Sequence, residues 1–220
     1  NTTYAKSLDI TIIGVTTSSA SSVAATTATA NGSASVSLTS PKFCYSSSDP
    51  GGSFDIASCS NVNAAGTNAA YTGSLSSLSA STTYYFQLTG VYSGAQYYGA
   101  VLTFKTIPTV TTAAASSITI NSATIGGSAT EDLTTPKLCY STTNPVSDFD
   151  PATCTSGTVA GTYTGYTAAL TGLSNSTTYY FQMTGKVSNV SYFGTKNSFK
   201  TLPVATTSAA SSVAATSAVL

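Results

Sequence analysis

The sequence predicts an all-β protein built of tandem Greek-key β-sandwiches, and three observations carry that prediction. The stretch Leu170 to Met183 recurs almost letter for letter from Leu75 to Leu88. In the later part of each copy the residues alternate: Tyr179, Phe181 and Met183 face one way, and Tyr180, Gln182 and Thr184 the other. That period of two marks a half-buried strand. A single shift of 95 positions (41 to 136) carries Pro41-Lys42-Phe43-Cys44-Tyr45-Ser46 onto Pro136-Lys137-Leu138-Cys139-Tyr140-Ser141. The same shift takes Cys59 to Cys154, Phe104 to Phe199 and Pro108 to Pro203 without insertion or deletion. A period of this length is too long for a solenoid unit and suits independent sandwiches in tandem.

The second copy gives the clearer order of elements. Ser117-Ile118-Thr119-Ile120 alternates as a first strand and Asn121-Ser122 turns the chain. Residues 123–130 read as a second strand, in which Gly126-Gly127 points to a bulge or a close backbone approach. Glu131-Asp132 is a polar turn, residues 137–141 a third strand, and Asn144-Pro145 opens a loop. A weaker strand follows over 158–163, then one over 167–170, a corner, the long strand 178–187, a turn at Ser188-Asn189 and a closing strand over 198–201. About seven strands separated by regular turn signals are expected of a Greek-key sandwich, and no stretch carries a helical period.

The ends extend the repeat. Ser211-Ser212-Val213-Ala214-Ala215-Thr216 echoes Ser21-Ser22-Val23-Ala24-Ala25-Thr26. Residues 7–12 lie where a preceding copy would close, although Asp9 falls opposite Phe104. The expected division is therefore 1–14, a closing strand of a preceding repeat or a donor strand; 15–107 and 108–203, two whole repeats; and 204–220, the opening of a further one. With neither an initiator Met nor a signal peptide, the 220 residues read as a mature product or a window on a longer array. Exposed strands at its ends would need covering by further repeats or by neighbouring copies.

Composition narrows the functional classes. Hydrophobic residues make up 41% and charged residues only 6%; all seven basic residues are lysine, balanced by seven acidic ones. Serine and threonine, roughly a third of the chain, supply polarity in place of the charge of an ordinary soluble domain. Zero net charge leaves no electrostatic footprint for nucleic acid or an anionic membrane. The 14 tyrosines and 8 phenylalanines, regularly placed, argue against a disordered mucin-like stalk. No apolar run approaches the ~20 residues of a membrane helix.

Leu173-Ser174-Asn175-Ser176-Thr177-Thr178-Tyr179 and Leu78-Ser79-Ala80-Ser81-Thr82-Thr83-Tyr84 are similar to the tyrosine-corner motif of fibronectin type III domains. With the Ser-Ala-Thr-Ile-Gly-Gly strand and the Cys-Tyr-Ser-Thr-Thr-Asn-Pro segment, nearly the whole chain resembles tandem fibronectin type III-like or immunoglobulin-like repeats of prokaryotic cell-surface or filament proteins. The resemblance implies a structural role for Tyr84 and Tyr179, with each hydroxyl bonded to backbone at its corner. The family's usual second-strand tryptophan is missing, so the core there must be filled otherwise.

Four cysteines form two pairs of equal spacing, Cys44/Cys59 and Cys139/Cys154. Pairing within each repeat makes each copy self-contained, whereas a zinc site would need further ligands and the chain has no histidine. Two disulfides are expected, pinning the loop after the third strand and placing the protein outside the cytosol. Asn1, Asn31, Asn175 and Asn189 each begin an Asn-x-Ser/Thr triplet; Asn175 and Asn189 fall in predicted turns, whereas Asn31 falls in a strand. O-linked sugars are a parallel candidate. Asp55/Asp150 recurs and reads as a turn former, with calcium the weaker reading. Tyr97, Tyr98 and Tyr192, with Phe193, lie near the last hairpin, either as surface aromatics for a sugar ring or neighbour, or as one core and one surface residue per pair.

No metal or cofactor is expected, and nothing resembles a nucleophilic site, so the chain reads as a non-enzyme. The leading expectation is a structural component of an extracellular filament or cell-surface appendage. Its partners would be copies of itself or further repeats of the same chain, without nucleic acid or membrane insertion. The alternative is an adhesin stalk or a carbohydrate-binding accessory module meeting surface glycans.

Overall fold

The computed structural model describes residues 12–209 and 211–219. The chain divides into two compact units, Asn1–Ile107 and Pro108–Leu220. Most of the closing or donor strand expected over 1–14 lies outside the described residues, as does Asn1.

The first unit contains β1 (Val15–Ser21), β2 (Ala28–Ala34), β3 (Thr39–Ser46), β4 (Ser60–Asn63), β5 (Ala65–Thr67), β6 (Ala70–Leu75), β7 (Thr83–Tyr92), β8 (Ala95–Tyr98) and β9 (Leu102–Lys105). One sheet runs β1-β2-β6-β5; the other runs β4-β3-β7-β8, with β9 also on β7. All pairings are antiparallel. The chain changes sheet between β2 and β3, between β4 and β5 and between β6 and β7, which is Greek-key connectivity.

The second unit repeats this order with β10 (Val110–Thr112), β11 (Ala123–Ala129), β12 (Thr134–Ser141), β13 (Ser156–Gly157), β14 (Ala160–Thr162), β15 (Gly165–Leu170), β16 (Thr178–Val187), β17 (Val190–Phe193) and β18 (Asn197–Lys200). A hairpin of β19 (Ser211–Ala214) and β20 (Ser217–Val219) follows. The described residues contain no helix.

Two expected strands are corrected. Ser117–Ile120 is not the first strand of its repeat; β10 is, and only the bridge Ser116↔Thr124 continues its pairing. Ser117 turns away with φ of 49°. The Thr119 hydroxyl accepts the N–H groups of Asn121 at 3.2 Å and Ser122 at 3.0 Å, a local alternative to ladder bonds. The alternation seen there reflects Ile118 packing on the core while Ile120 is exposed. Of the weak strand over 158–163 only β14 forms, paired with β15, while the strand that pairs with β12 in the facing sheet is β13, just ahead of that run.

Each core is filled by apolar residues from both sheets, among them Phe43, Leu75, Phe86 and Leu88 in the first and Ile125, Leu138, Phe181 and Met183 in the second. The register of β11 on β15 runs unbroken from Ala123↔Leu170 to Gly127↔Tyr166, so the glycine pair marks close approach and not a bulge there. A Cβ on Gly127 would stand 2.8 Å from Met183 Cβ, and one on Gly32 would stand 2.8 Å from Leu88 Cδ2. Leu88 and Met183 of the facing sheet thus fill the space over these second-strand glycines.

Candidate site beneath the disulfide loop

The long strands β7 and β16 are not half-buried in their middle. Gln182 (1% exposed) and Thr184 (0%) are as inaccessible as Phe181 and Met183, and Gln87 and Thr89 match them. The loop between Ser141 and Cys154 supplies part of the cover, placing Phe149 against the outer face. Cys44 and Cys139, opposite Gln87 and Gln182 in register, are fully buried. They close the disulfides Cys44–Cys59 and Cys139–Cys154, each with Cα atoms 5.6 Å apart.

The glutamine is the loop's anchor. Gln182 Oε1 accepts the Phe149 N–H at 2.9 Å, while its Nε2 donates to the Gly194 carbonyl at 2.7 Å and to Asp148 Oδ1 at 2.6 Å. Gln87 makes the corresponding bonds to Phe54 N at 2.8 Å, Gly99 O at 2.6 Å and Ser53 Oγ at 3.2 Å. Asp150 then shapes the turn into the cysteine: Oδ1 accepts the Ala152 N–H at 2.9 Å and Oδ2 the Thr153 hydroxyl at 3.0 Å. Asp55 does the same with Ala57 and Ser58. The backbone N–H, then the hydroxyl, hold both exposed carboxyls below the usual carboxylate range. In the second copy Lys196 Nζ also donates to the carbonyls of Pro145 at 2.6 Å and Ser147 at 3.0 Å.

Between this loop and the strand ends lies an open cleft of about 650 Å³ in the second copy, lined by Tyr140, Thr142, Pro145, Asp148, Asp150 and Tyr179. The first copy has a smaller one of about 420 Å³, bounded by Tyr45, Asp49, Pro50 and Asp55. Its hydroxyls, tyrosine edge and carboxylates suit a neutral polyhydroxylated ligand, but the carboxylates are largely engaged in loop turns. Among the described residues no buried side-chain polar atom lacks a partner, and no three His, Cys, Asp or Glu gather as metal ligands.

The other sequence-selected residues lie elsewhere. Tyr84 Oη accepts the Ser79 N–H at 2.9 Å and Tyr179 Oη the Ser174 N–H at 3.0 Å. Tyr97 and Tyr98 sit on β8 and Tyr192 on β17; Tyr97 and Tyr192 are half-buried and Tyr98 exposed. Asn31 is half-buried on β2, where its Nδ2 donates to the Ser19 carbonyl at 2.8 Å and Ser21 Oγ at 3.0 Å beside the irregular register of β1. Asn175 and Asn189 are exposed in turns.

Sequence reasoning passed over three polar pairs. Buried Thr17 and Thr112 accept the N–H groups of Leu88 and Met183 at 3.0 Å, bonds that join the two sheets where the β8–β9 and β17–β18 edges are interrupted. Tyr71 and Tyr166 accept the N–H groups of Leu38 and Leu133. Gln87 and Gln182 hold the loops. The available signal was that each recurs under the 95-residue shift.

No protein-family model matches the sequence, and no curated protein does either. Among solved structures, a two-domain fibronectin type III segment of chicken tenascin is 16% identical, covers 83% of this chain and 97% of its own, and superposes with a TM-score of 0.47. The sensor domain of the anti-sigma factor RsgI4 of Pseudobacteroides cellulosolvens is 19% identical, with coverage of 44% and 76% and a TM-score of 0.31. At those scores the fold stands on this chain's own strand order, four strands β1-β2-β6-β5 facing the group around β3 and β7, as in immunoglobulin-like sandwiches. Each unit is an immunoglobulin-like Greek-key β-sandwich.

Proposed function

We propose that this chain is a structural segment of an extracellular filament or cell-surface appendage, assembled from tandem β-sandwich repeats. The supporting observation is that the internal hydrogen-bonded scaffold recurs at the same positions in both copies. Gln87/Gln182, Thr17/Thr112, Tyr71/Tyr166 and Tyr84/Tyr179 keep their partners in both copies. The loop clefts also keep their tyrosine, proline and turn aspartate, with Ser53 of the first exchanged for Asp148 in the second. A tandem spacer needs this repeated scaffold, and both copies keep it. The two disulfides support an oxidising, extracellular setting, and the partners are copies of the chain or further repeats.

The test is to shear surface material from the source cells, boil it in detergent and size it. Recovery of this chain's peptides in high-mass material supports the proposal; a ladder indicates strand-exchanged subunits and a single band one long array. Recovery only as a soluble small species contradicts it. The second reading, a carbohydrate-binding module, is favoured by the cleft at Tyr140 and its counterpart at Tyr45. Glycan-array binding lost in Tyr140→Ala, Tyr97→Ala or Tyr98→Ala would support that reading.

A further inference from the structure

We propose that Asn175 and Asn189 carry N-linked sugars and that Asn31, despite its matching triplet, does not. This goes beyond the filament reading and does not depend on it. The difference lies in what each amide is already doing. N-glycosylation replaces one of the two amide protons with a sugar, and Asn31 uses its Nδ2 group for both the Ser19 carbonyl and Ser21 Oγ. A sugar there would remove a bond that shapes β1 and would have to leave from a half-buried position in the sheet.

Asn175 and Asn189 are free of these constraints. Both are exposed, and among the described residues no hydrogen bond engages either side-chain amide. Asn175 stands at the turn entering β16, and Thr177 Oγ1 donates to its backbone carbonyl at 2.8 Å. Thr82 makes the same bond to Ala80, so that contact belongs to the corner scaffold; the acceptor amide is what the second copy adds. Asn189 stands at the tip of the β16–β17 hairpin with φ of 66°, where the first copy has Gly94 with φ of 80°. Asparagine tolerates that conformation. Here it also meets Ser191 two residues on, completing the acceptor triplet.

The two acceptors bracket the 10-residue strand β16, roughly 30 Å apart along the strand, one at each end of the second unit. The first copy has Ala80 and Gly94 at these positions and takes no sugar there. In a chain with only 6% charged residues, these sugars solvate both ends of one repeat while leaving the other bare.

The sugar donor is a polyprenyl-diphosphate-linked oligosaccharide. Asn Nδ2 bonds to its anomeric carbon, the anomeric C–O bond to the diphosphate breaks, the polyprenyl diphosphate leaves with that electron pair, and one amide proton passes to base. The test is glycopeptide mapping by tandem mass spectrometry of the protein from its source cells, beside Asn175→Gln and Asn189→Gln expressed there. The expected result is sugar on both the Asn175 and Asn189 peptides, one sugar increment lost in each variant, and an unmodified Asn31 peptide. Bare Asn175 and Asn189 peptides, sugar confined to serine or threonine, or equal occupancy at Asn31 would each overturn the proposal.

Discussion

Phe149 donates its backbone N–H to Gln182 Oε1 at 2.9 Å, and Phe54 makes the same bond to Gln87 at 2.8 Å. Each bond ties a loop to the middle of the longest strand in its unit. Replacing Gln182 by Leu would leave the Phe149 N–H and the Gly194 carbonyl without their partner in a buried setting. Each such group costs about 1–3 kcal/mol. Urea unfolding of Gln182→Leu should therefore show the second unit less stable by about 2–6 kcal/mol. A neutral variant would mean that the loop does not depend on this anchor.

The disulfides reinforce the same loops from the other end. Closing a 15-residue separation contributes about 3 kcal/mol on the chain-entropy account. Cys139→Ala with Cys154→Ala should lower stability by about that amount while Phe149 stays docked, because Gln182 still holds it. Combined with Gln182→Leu, the loop should detach and become open to proteolysis, and the combined loss should differ from the sum of the separate losses. Strict additivity would place the two devices in independent parts of the structure.

Gly194 lies where the β17–β18 edge breaks and Thr112 crosses to Met183. A Cβ at Gly194 would come within 2.9 Å of the Thr111 carbonyl carbon, with the Thr112 backbone closer still. Gly194→Ala should push β10 outward, lengthen the Thr112–Met183 bond and cost about 1–3 kcal/mol, read by thermal unfolding. Gly165→Ala is the control: nothing lies within 4 Å of its Cβ position, and stability should be unchanged or slightly raised.

Acid should loosen the loops in a defined direction. The carboxyls of Asp55 and Asp150 are held low by turn N–H groups and then by hydroxyls. Their contribution is fully present above the ordinary carboxylate pKa, near 3.8, and is lost as pH falls through the lower folded value. Loop protection against an acid protease should thus fall below about pH 4. Asp150→Asn, which keeps an acceptor for the Ala152 N–H but does not titrate, should flatten that decline in the second unit. An unchanged acid profile would remove Asp150 from the account.

The fold was legible because its evidence is local or periodic. The alternation over 178–187 gives β16 its limits, and the equal cysteine spacing marks the two loops. The failures share a physical cause. At Ser117–Ile120 a hydroxyl turn and one core-facing isoleucine imitate a strand's period, and near 158–163 the chain passes from β13 in one sheet to β14 in the other within a few residues. The outer face of β16 is buried by residues some thirty positions away, a cover that alternation along one strand does not reveal. Alternation places Gln182 on the same face as Tyr180 but does not reveal that it is the anchor of the loop.

The central claim is that the chain works as part of an extracellular assembly. Immunogold electron microscopy of intact source cells, with antibody raised against the folded second unit, tests it most directly. The account predicts label distributed along thin surface filaments or appendages, and loss of those structures when the gene is deleted. Label confined to the cell interior, or filaments unchanged in the deletion strain, would contradict it.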